Sequence, residues 1–340
     1  MPSSWFELSK QDQSEILELA ANQTGLPPHL LEKDIWVVWV LNVLFSSPLG
    51  QDLSFKGGTS LSKVFKIINR FSEDIDLTYD IRKIVPDLLK DGSPLPVSQS
   101  QQKKISATVR SRLTLLIKDY VIPILNNALQ QSGLSALLQI DGNNEDKLTI
   151  NYPASKHGTG YANPRILLEF GARATGEPRE SHHVICDAAL LFTEIQFPTA
   201  NPLVLLAERT FWEKATAIHV YCQQGRLRGE RYSRHWYDLE AISKTLHYQR
   251  ALQDYQLAMQ VALHKSIFFS EKDRNGNRIN YKNAVLGMIQ LVPSGISLQI
   301  LEEDYSAMLA DGLLRMNFPK FTNLIDRCSE IQDQINHAFS

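Results

Sequence analysis

The residues best equipped for chemistry lie in two neighbouring stretches, Phe55-Lys56-Gly57-Gly58-Thr59-Ser60-Leu61-Ser62-Lys63 and Arg70-Phe71-Ser72-Glu73-Asp74-Ile75-Asp76-Leu77. Paired glycines let a backbone approach a phosphate closely, and the start of a following helix offers unbonded N–H groups and the positive end of its dipole. Asp74 and Asp76 project to one face if their segment is a strand, while Ile75 and Leu77 project to the other. Two carboxylates so placed repel each other unless a cation sits between them. Hard oxygen ligands select Mg²⁺, which keeps water and substrate phosphate oxygens in its remaining positions. A triphosphate at the glycine turn and Mg²⁺ at the aspartate pair is what phosphoryl or nucleotidyl transfer requires. Taken singly, a Gly-Gly pair is usually only a turn and Asp-x-Asp a solvated strand edge. Their order and spacing together point to a metal–nucleotide site.

Other residues are candidates to complete it. Glu169 is a lone acid in the apolar run Ile166-Leu167-Leu168-Glu169-Phe170, which suits a third metal ligand; the rival is an ion pair with Arg165 or Arg173. Lys214 shares a helix face with Phe211 and Ile218, so its ammonium either meets a phosphate as a point charge or snorkels to water. Asp238 reads as a general base, a partner that orients Lys214, or a helix N-cap. Ser72 is a hydroxyl near a γ-phosphate or a turn residue. Arg231, Arg234 and His235 suit RNA phosphates, with Tyr232 or Trp236 stacking on an unpaired base; the alternative is a solvated basic helix start with Trp236 in the core. His182, His183 and Cys186 read as surface histidines beside a thiol rather than a metal site.

The elements that must position these groups follow from periodicity and breakers. Ser9 caps a helix to Thr24 that Gly25-Leu26-Pro27-Pro28 stops, and a second helix covers Leu30 to Phe45. Asp52 to Lys56 is a short strand, followed by a helix through Leu61, Val64, Phe65 and Ile68, and Asp74 to Tyr79 is a second strand. Asp91 to Gln102 reads as a loop, and Ile105 to Gln130 as one long helix. Leu137 to Ile140 and Lys147 to Tyr152 pair through the turn at Asp141-Gly142-Asn143-Asn144, and Arg165 to Phe170 is a further strand. From Asn201-Pro202 the chain turns helical, broken near Gly225 to Gly229 and Asp273 to Asn277. These elements predict an α+β protein: a core with a mixed sheet and N-terminal helices over 1–200, then a helical domain over 201–340.

The chain has 340 residues, 43% of them hydrophobic, and a net charge of −2, so nucleic-acid contact depends on local basic patches. Two stand out: Lys103, Lys104, Arg110, Arg112 and Lys118, and Arg226, Arg228, Arg231, Arg234 and His235. The start of the chain has no basic n-region and apolar h-region, and its longest early apolar run is too short for a membrane span. Cys186, Cys222 and Cys328 have no spacing for a disulfide framework. A cytoplasmic protein without a membrane anchor is expected.

The glycine and Asp-x-Asp stretches, with Glu208-Arg209-Thr210-Phe211-Trp212-Glu213-Lys214 and Arg234-His235-Trp236-Tyr237-Asp238-Leu239, resemble the four motifs of the AbiEii/AbiGii-type nucleotidyltransferase toxins. The resemblance runs from about Leu30 to Leu246. It implies a polymerase-β-like nucleotidyltransferase core with a helical C-terminal domain, acting as the toxin of a two-gene toxin–antitoxin or phage-defence system. Some relatives transfer nucleotides onto the acceptor end of tRNA. In the family's terms Gly58 and Ser60 meet the triphosphate, with Gly57, Thr59, Lys63 and Ser72 beside them. Asp74 and Asp76 hold Mg²⁺, which Glu169, read from its own strand, would join as a third ligand, and Lys214 and Asp238 serve catalysis. The implied partners are an NTP, an RNA acceptor and an antitoxin encoded nearby, expected to be a winged-helix protein. Transfer onto a small molecule or protein, and NTP binding without turnover, are the competing readings.

Overall fold

In the computed structural model, described over residues 3–72, 74–89, 98–155, 164–225, 227, 231–310 and 318–339, the first helix, α1 (Lys10–Thr24), begins where the side chain of Ser9 accepts from the Asp12 amide and ends at Gly25, whose φ of 71° is left-handed. Such a cap satisfies amides that the first turn leaves unbonded. Helix α2 (Pro28–Phe45) starts two residues earlier than the spacing predicts, because Pro28 occupies the first turn, where its missing N–H costs nothing. Every residue from Leu30 to Leu41 on α2 is buried.

Seven strands form one mixed sheet: β1 (Leu53–Lys56), β2 (Ile75–Tyr79), β3 (Leu137–Ile140), β4 (Lys147–Asn151), β5 (Arg165–Gly171), β6 (Arg179–Ser181) and β7 (Leu203–Leu205), in the spatial order β3-β4-β5-β2-β1-β7-β6. β2 runs parallel to β5 and antiparallel to β1. Alternation decides the faces. Phe55, Leu77, Leu148, Ile150, Ile166 and Leu168 are fully buried on one face, each burial contributing about 1.5–3 kcal/mol. Helix α2 packs against β5. On the opposite face the register aligns Lys56 with Asp76, Asp76 with Glu169, and Glu169 with Lys147. One row of four charged residues therefore crosses four strands, the two acids inside and the two lysines outside.

Three elements differ from the sequence expectations. The helix after β1, α3 (Gly57–Lys63), stops at Lys63 instead of running through Ile68. The chain leaves the sheet-containing unit at Phe65, and Lys66 takes a φ of 54° that no helix accommodates. The long central helix starts at Gln99, inside the expected loop, and is α4 (Gln99–Leu116), a wide turn over Ile117–Val121, then α5 (Ile122–Gln131). Pro123, with no N–H to give the preceding turn, accounts for the interruption. Most of the predicted loop over 91–102, and Glu73, Arg226 and Arg228, lie outside the described residues. A strand, β7, precedes the helical region; it pairs with β1 and β6.

The chain divides into two compact units, Met1–Val64 with Ser72–Pro94 and Lys103–Leu205, and Phe65–Phe71 with Leu95–Gln102 and Leu206–Ser340. In the second, α6 (Ala207–Gln224) packs on α7 (Ser233–Ser243), α8 (Leu246–Gln253) and α9 (Tyr255–Phe268), while α10 (Ile296–Ala310) and α11 (Phe321–Ala338) pack on α7. Its buried tryptophans are satisfied: Trp212 donates to the Ala251 carbonyl at 3.0 Å and Trp236 to the Leu291 carbonyl at 2.8 Å. Among the described residues no helix is long and apolar enough to cross a membrane.

Candidate active site

Asp76 stands in the middle of the charged row, on a strand whose alternate residues Ile75 and Leu77 are fully buried. Asp74 precedes that strand by one residue. The glycine at position 57 is explained by this carboxylate. Gly57 has a φ of 79°, and a Cβ there would lie 2.0 Å from Asp76 Oδ2. No side chain fits without displacing the carboxylate, so Gly57 clears space for Asp76 as well as turning the chain. Thr59, fully buried on α3, donates to the Asp74 carbonyl at 2.5 Å and hydrogen-bonds the Ser72 hydroxyl at 3.0 Å. The glycine helix is thereby tied to the backbone that carries the aspartates. Ser72 acts here as a partner of Thr59, and Ser60 donates to the Gly57 carbonyl at 2.9 Å. All three motif hydroxyls on α3 thus donate inside the protein, Ser62 to the Thr59 carbonyl at 3.1 Å.

Glu169 neighbours Asp76 in register, yet its carboxylate accepts from Lys147 at 2.5 Å. The partner is neither Arg165 nor Arg173, and the side chain is 37% exposed, not buried. Burial opposes the charge of Lys147, but Glu169, Asp146 and Asp74 outweigh it and raise its pKa. Among the described residues no three His, Cys, Asp or Glu side chains converge as a metal cluster. The donors at hand for a hard cation are the two aspartates, a set that fits an ion retaining several waters and phosphate oxygens. Lys63 lies elsewhere: its ammonium is buried 2.7 Å from Asp34 and 2.8 Å from Asp187. Asp34 also accepts the Asp187 amide at 2.7 Å. Burial and the Asp187 charge outweigh Lys63 and raise the pKa of Asp34. Lys63 is held by these acids inside the protein, not presented to a nucleotide.

In the helical unit Asp238 is fully buried, in the interior of α7, not at its N-cap. Arg70 grips it with two bonds of 2.7 Å, and Lys214 on α6 reaches its Oδ2 at 2.8 Å. Burial alone raises a carboxyl pKa; here the charges and hydrogen bonds of Arg70 and Lys214 outweigh it and hold Asp238 well below the usual carboxylate range. So weak a base is poorly suited to take a proton near neutral pH, and the orienting role is the one the geometry supports. The side chain of Lys214 is 11% exposed, so it does not snorkel to solvent. Two cations on one carboxylate leave a surplus positive charge. Arg70 went unassigned among the candidates; its signal was that a buried aspartate on the Trp236-Leu239 face of a helix demands a bidentate cation.

The predicted RNA-contact residues fare differently from one another. Trp236 is buried, which removes it from stacking. Tyr232 lies with its ring 4.6 Å from that of Tyr221. At the start of α7 the carboxylate of Asp304 accepts from the backbone amides of Arg231 at 2.5 Å and Ser233 at 2.7 Å. Arg231 remains exposed and Arg234 half-buried. His235 is a correction to the basic patch: burial, with the charges of Lys214, Arg70 and Lys265, pushes it down to about 3, so it is neutral. His183 hydrogen-bonds Asn201 at 3.0 Å, and Cys186 is buried with its thiol pushed up to about 12 by burial.

The sheet-containing unit thus holds two aspartates beside a glycine helix, and the helical unit a lysine–aspartate pair on consecutive helices. The family model of the nucleotidyl transferase AbiEii toxin of type IV toxin–antitoxin systems matches residues 39–327, and the chain belongs to that family. Among solved structures it is similar to MenT4, a nucleotidyltransferase toxin from Mycobacterium tuberculosis H37Rv, at 15% identity and a TM-score of 0.44, covering 98% of each chain. No curated protein matches the sequence.

Proposed function

We propose that this enzyme transfers a nucleotide from an NTP to RNA, at the acceptor end of tRNA, and so stops translation until a neighbouring winged-helix antitoxin restrains it in the cytoplasm. The observation that carries the reading is the Gly57–Asp76 fit, a glycine whose missing side chain is filled by the carboxylate. Asp74 and Asp76 would hold Mg²⁺, with Glu169 as the adjoining acid whose charge Lys147 balances. The ion would supply positive charge to the α-phosphate and the departing pyrophosphate. Gly57, Gly58 and the backbone of Thr59 and Ser60 offer the phosphates close main-chain approach. In the helical unit, Arg70 and Lys214 with Asp238 supply a fixed positive charge that favours a phosphate over a neutral ligand.

The test is incubation with labelled NTPs, one nucleotide at a time, with Mg²⁺ and total tRNA. Wild type labels RNA and Asp76→Ala does not. Absence of transfer by wild type, or equal transfer by the variant, sinks the proposal. Label that enters product without RNA moves the acceptor to a small molecule or protein. Growth arrest on expression, relieved by the adjacent gene, tests the toxin role separately.

A further inference from the structure

In the sheet-containing unit, Glu169 occupies the register position beside Asp76 that a third metal carboxylate needs. It is committed elsewhere. Its Oε1 accepts from the Lys147 ammonium at 2.5 Å, both side chains being partly exposed. Among the described residues no three acids gather into a metal cluster, although the register brings Glu169 next to Asp76. A lysine on the neighbouring strand has taken up the third carboxylate.

The backbone fixes this pairing. Lys147 opens β4 where the hairpin from β3 closes: its carbonyl accepts the Asp141 amide at 3.0 Å, and its own amide donates to the Asn144 carbonyl at 2.8 Å. One residue along from Glu169, the Phe170 amide donates to the Asp146 carbonyl at 2.9 Å. Lys147 and Glu169 are direct partners on antiparallel strands, which sets their Cβ atoms about 4.5–5.5 Å apart. Their neighbours Leu148 and Leu168 are fully buried on the other face, so alternation leaves the pair on the face of Asp76. The charge of Asp74 also acts on the Lys147 ammonium. The lysine thus belongs to the electrostatics of the aspartate site.

Charge balance gives the pair a consequence. Sites with two ions hold them about 3.5–4 Å apart and need carboxylates for both. Here the row is neutral as it stands, with Lys56 and Lys147 against Asp76 and Glu169, and Asp74 adds a single negative charge. One divalent ion suits that balance. A second at Glu169 must first displace the ammonium, and Mg²⁺, which sheds water reluctantly, gains little from one carboxylate that is already paired.

We infer that Lys147 takes the place of a second metal ion: its ammonium holds Glu169 out of the metal set, so that the protein binds one divalent ion, on Asp74 and Asp76. The inference rests on the reading of the aspartate pair as the Mg²⁺ site. Lys147 is a positioning residue that acts through Glu169 and sets the metal count.

The experiment titrates the full chain, without NTP, with Mn²⁺, which shares the preference of Mg²⁺ for carboxylate and water oxygens; bound ions are counted by electron paramagnetic resonance. Wild type is expected to bind one Mn²⁺, and Asp76→Ala to lose it. Lys147→Met frees Glu169 and is expected to bind two, with the spin coupling of neighbouring ions. Adding Glu169→Gln to Lys147→Met returns the count to one, and Lys147→Arg keeps it at one because a guanidinium still answers the carboxylate. Partly exposed ion pairs add little to stability, so these variants fold, as melting curves check. Two ions in wild type, or one in folded Lys147→Met, overturn the role of Lys147 and leave the aspartate site standing. Binding that Asp76→Ala does not reduce, or no bound Mn²⁺ in wild type, overturns the aspartate site and the inference with it. The expected counts together with no RNA labelling by wild type overturn the proposed reaction and support Lys147.

Discussion

Each unit buries a triad of charged side chains, and the two are opposite in sign. In the sheet-containing unit one lysine, Lys63, serves two acids, Asp34 and Asp187. In the helical unit one acid, Asp238, serves two cations, Arg70 and Lys214. The first carries a surplus of negative charge, which burial reduces by raising the pKa of Asp34. The second sets two cations on one carboxylate. Buried surplus charge is expensive unless something answers it. A proton can answer the first; the second keeps its one acid ionised. The difference marks Lys63 as a tie between α3, α2 and the turn at Asp187, and Arg70 and Lys214 as the cations that keep Asp238 ionised.

The largest effect expected falls on the tie. Lys63→Met leaves two buried carboxylates without a cation and is expected to cost about 3–5 kcal/mol of stability by urea unfolding. A loss under about 1 kcal/mol would show that the triad is not what holds α3. Lys214→Met reverses the pattern, because Arg70 still neutralises Asp238. Its stability should stay within about 1 kcal/mol of wild type while nucleotide transfer slows roughly 10²–10³-fold; near-normal turnover would remove the lysine from the chemistry. Gly57→Ala is next. The methyl must displace the Asp76 carboxylate and occupy a left-handed backbone, costing about 1–2 kcal/mol in unfolding, and weakened Mg²⁺ affinity by calorimetry should accompany it. Unchanged affinity would separate the glycine from the metal site.

The smallest effect is one of pH. Burial pushes His235 down to about 3 and His219 down to about 4. The unfolded chain takes up these protons near pH 6.5 and the native state does not. Stability from the neutral imidazoles is therefore complete above about pH 6.5 and falls as the pH drops toward 4, each histidine adding a slope of at most about 1.4 kcal/mol per pH unit. Asp238 works the other way in range: its lowered pKa preserves its contribution above the unfolded carboxyl value and loses it only below the ordinary carboxylate range. Acid should therefore loosen the helical unit through its histidines first, with His235→Gln flattening the profile measured by thermal melts. An unchanged profile would mean that His235 is protonated in the folded state.

The sequence by itself determined the strand that carries Asp76 and starts just after Asp74, because a period of two puts Ile75 and Leu77 on one face and Asp76 on the other. It determined the Ser9 cap, the Gly25 stop, the α+β class and the family, each a local signal read over a few residues. Tertiary structure alone decided which charges meet. Asp34, Lys63 and Asp187 are scattered along the chain, and so are Arg70, Lys214 and Asp238; no spacing rule couples them. It also decided that Lys63 turns inward, that Glu169 answers Lys147, that Asp304 fills the start of α7, and that Gly57 exists to admit a carboxylate. Periodicity reports which face a side chain is on. The partner it finds there depends on burial and register, which arise only when distant elements pack and each buried charge must be answered.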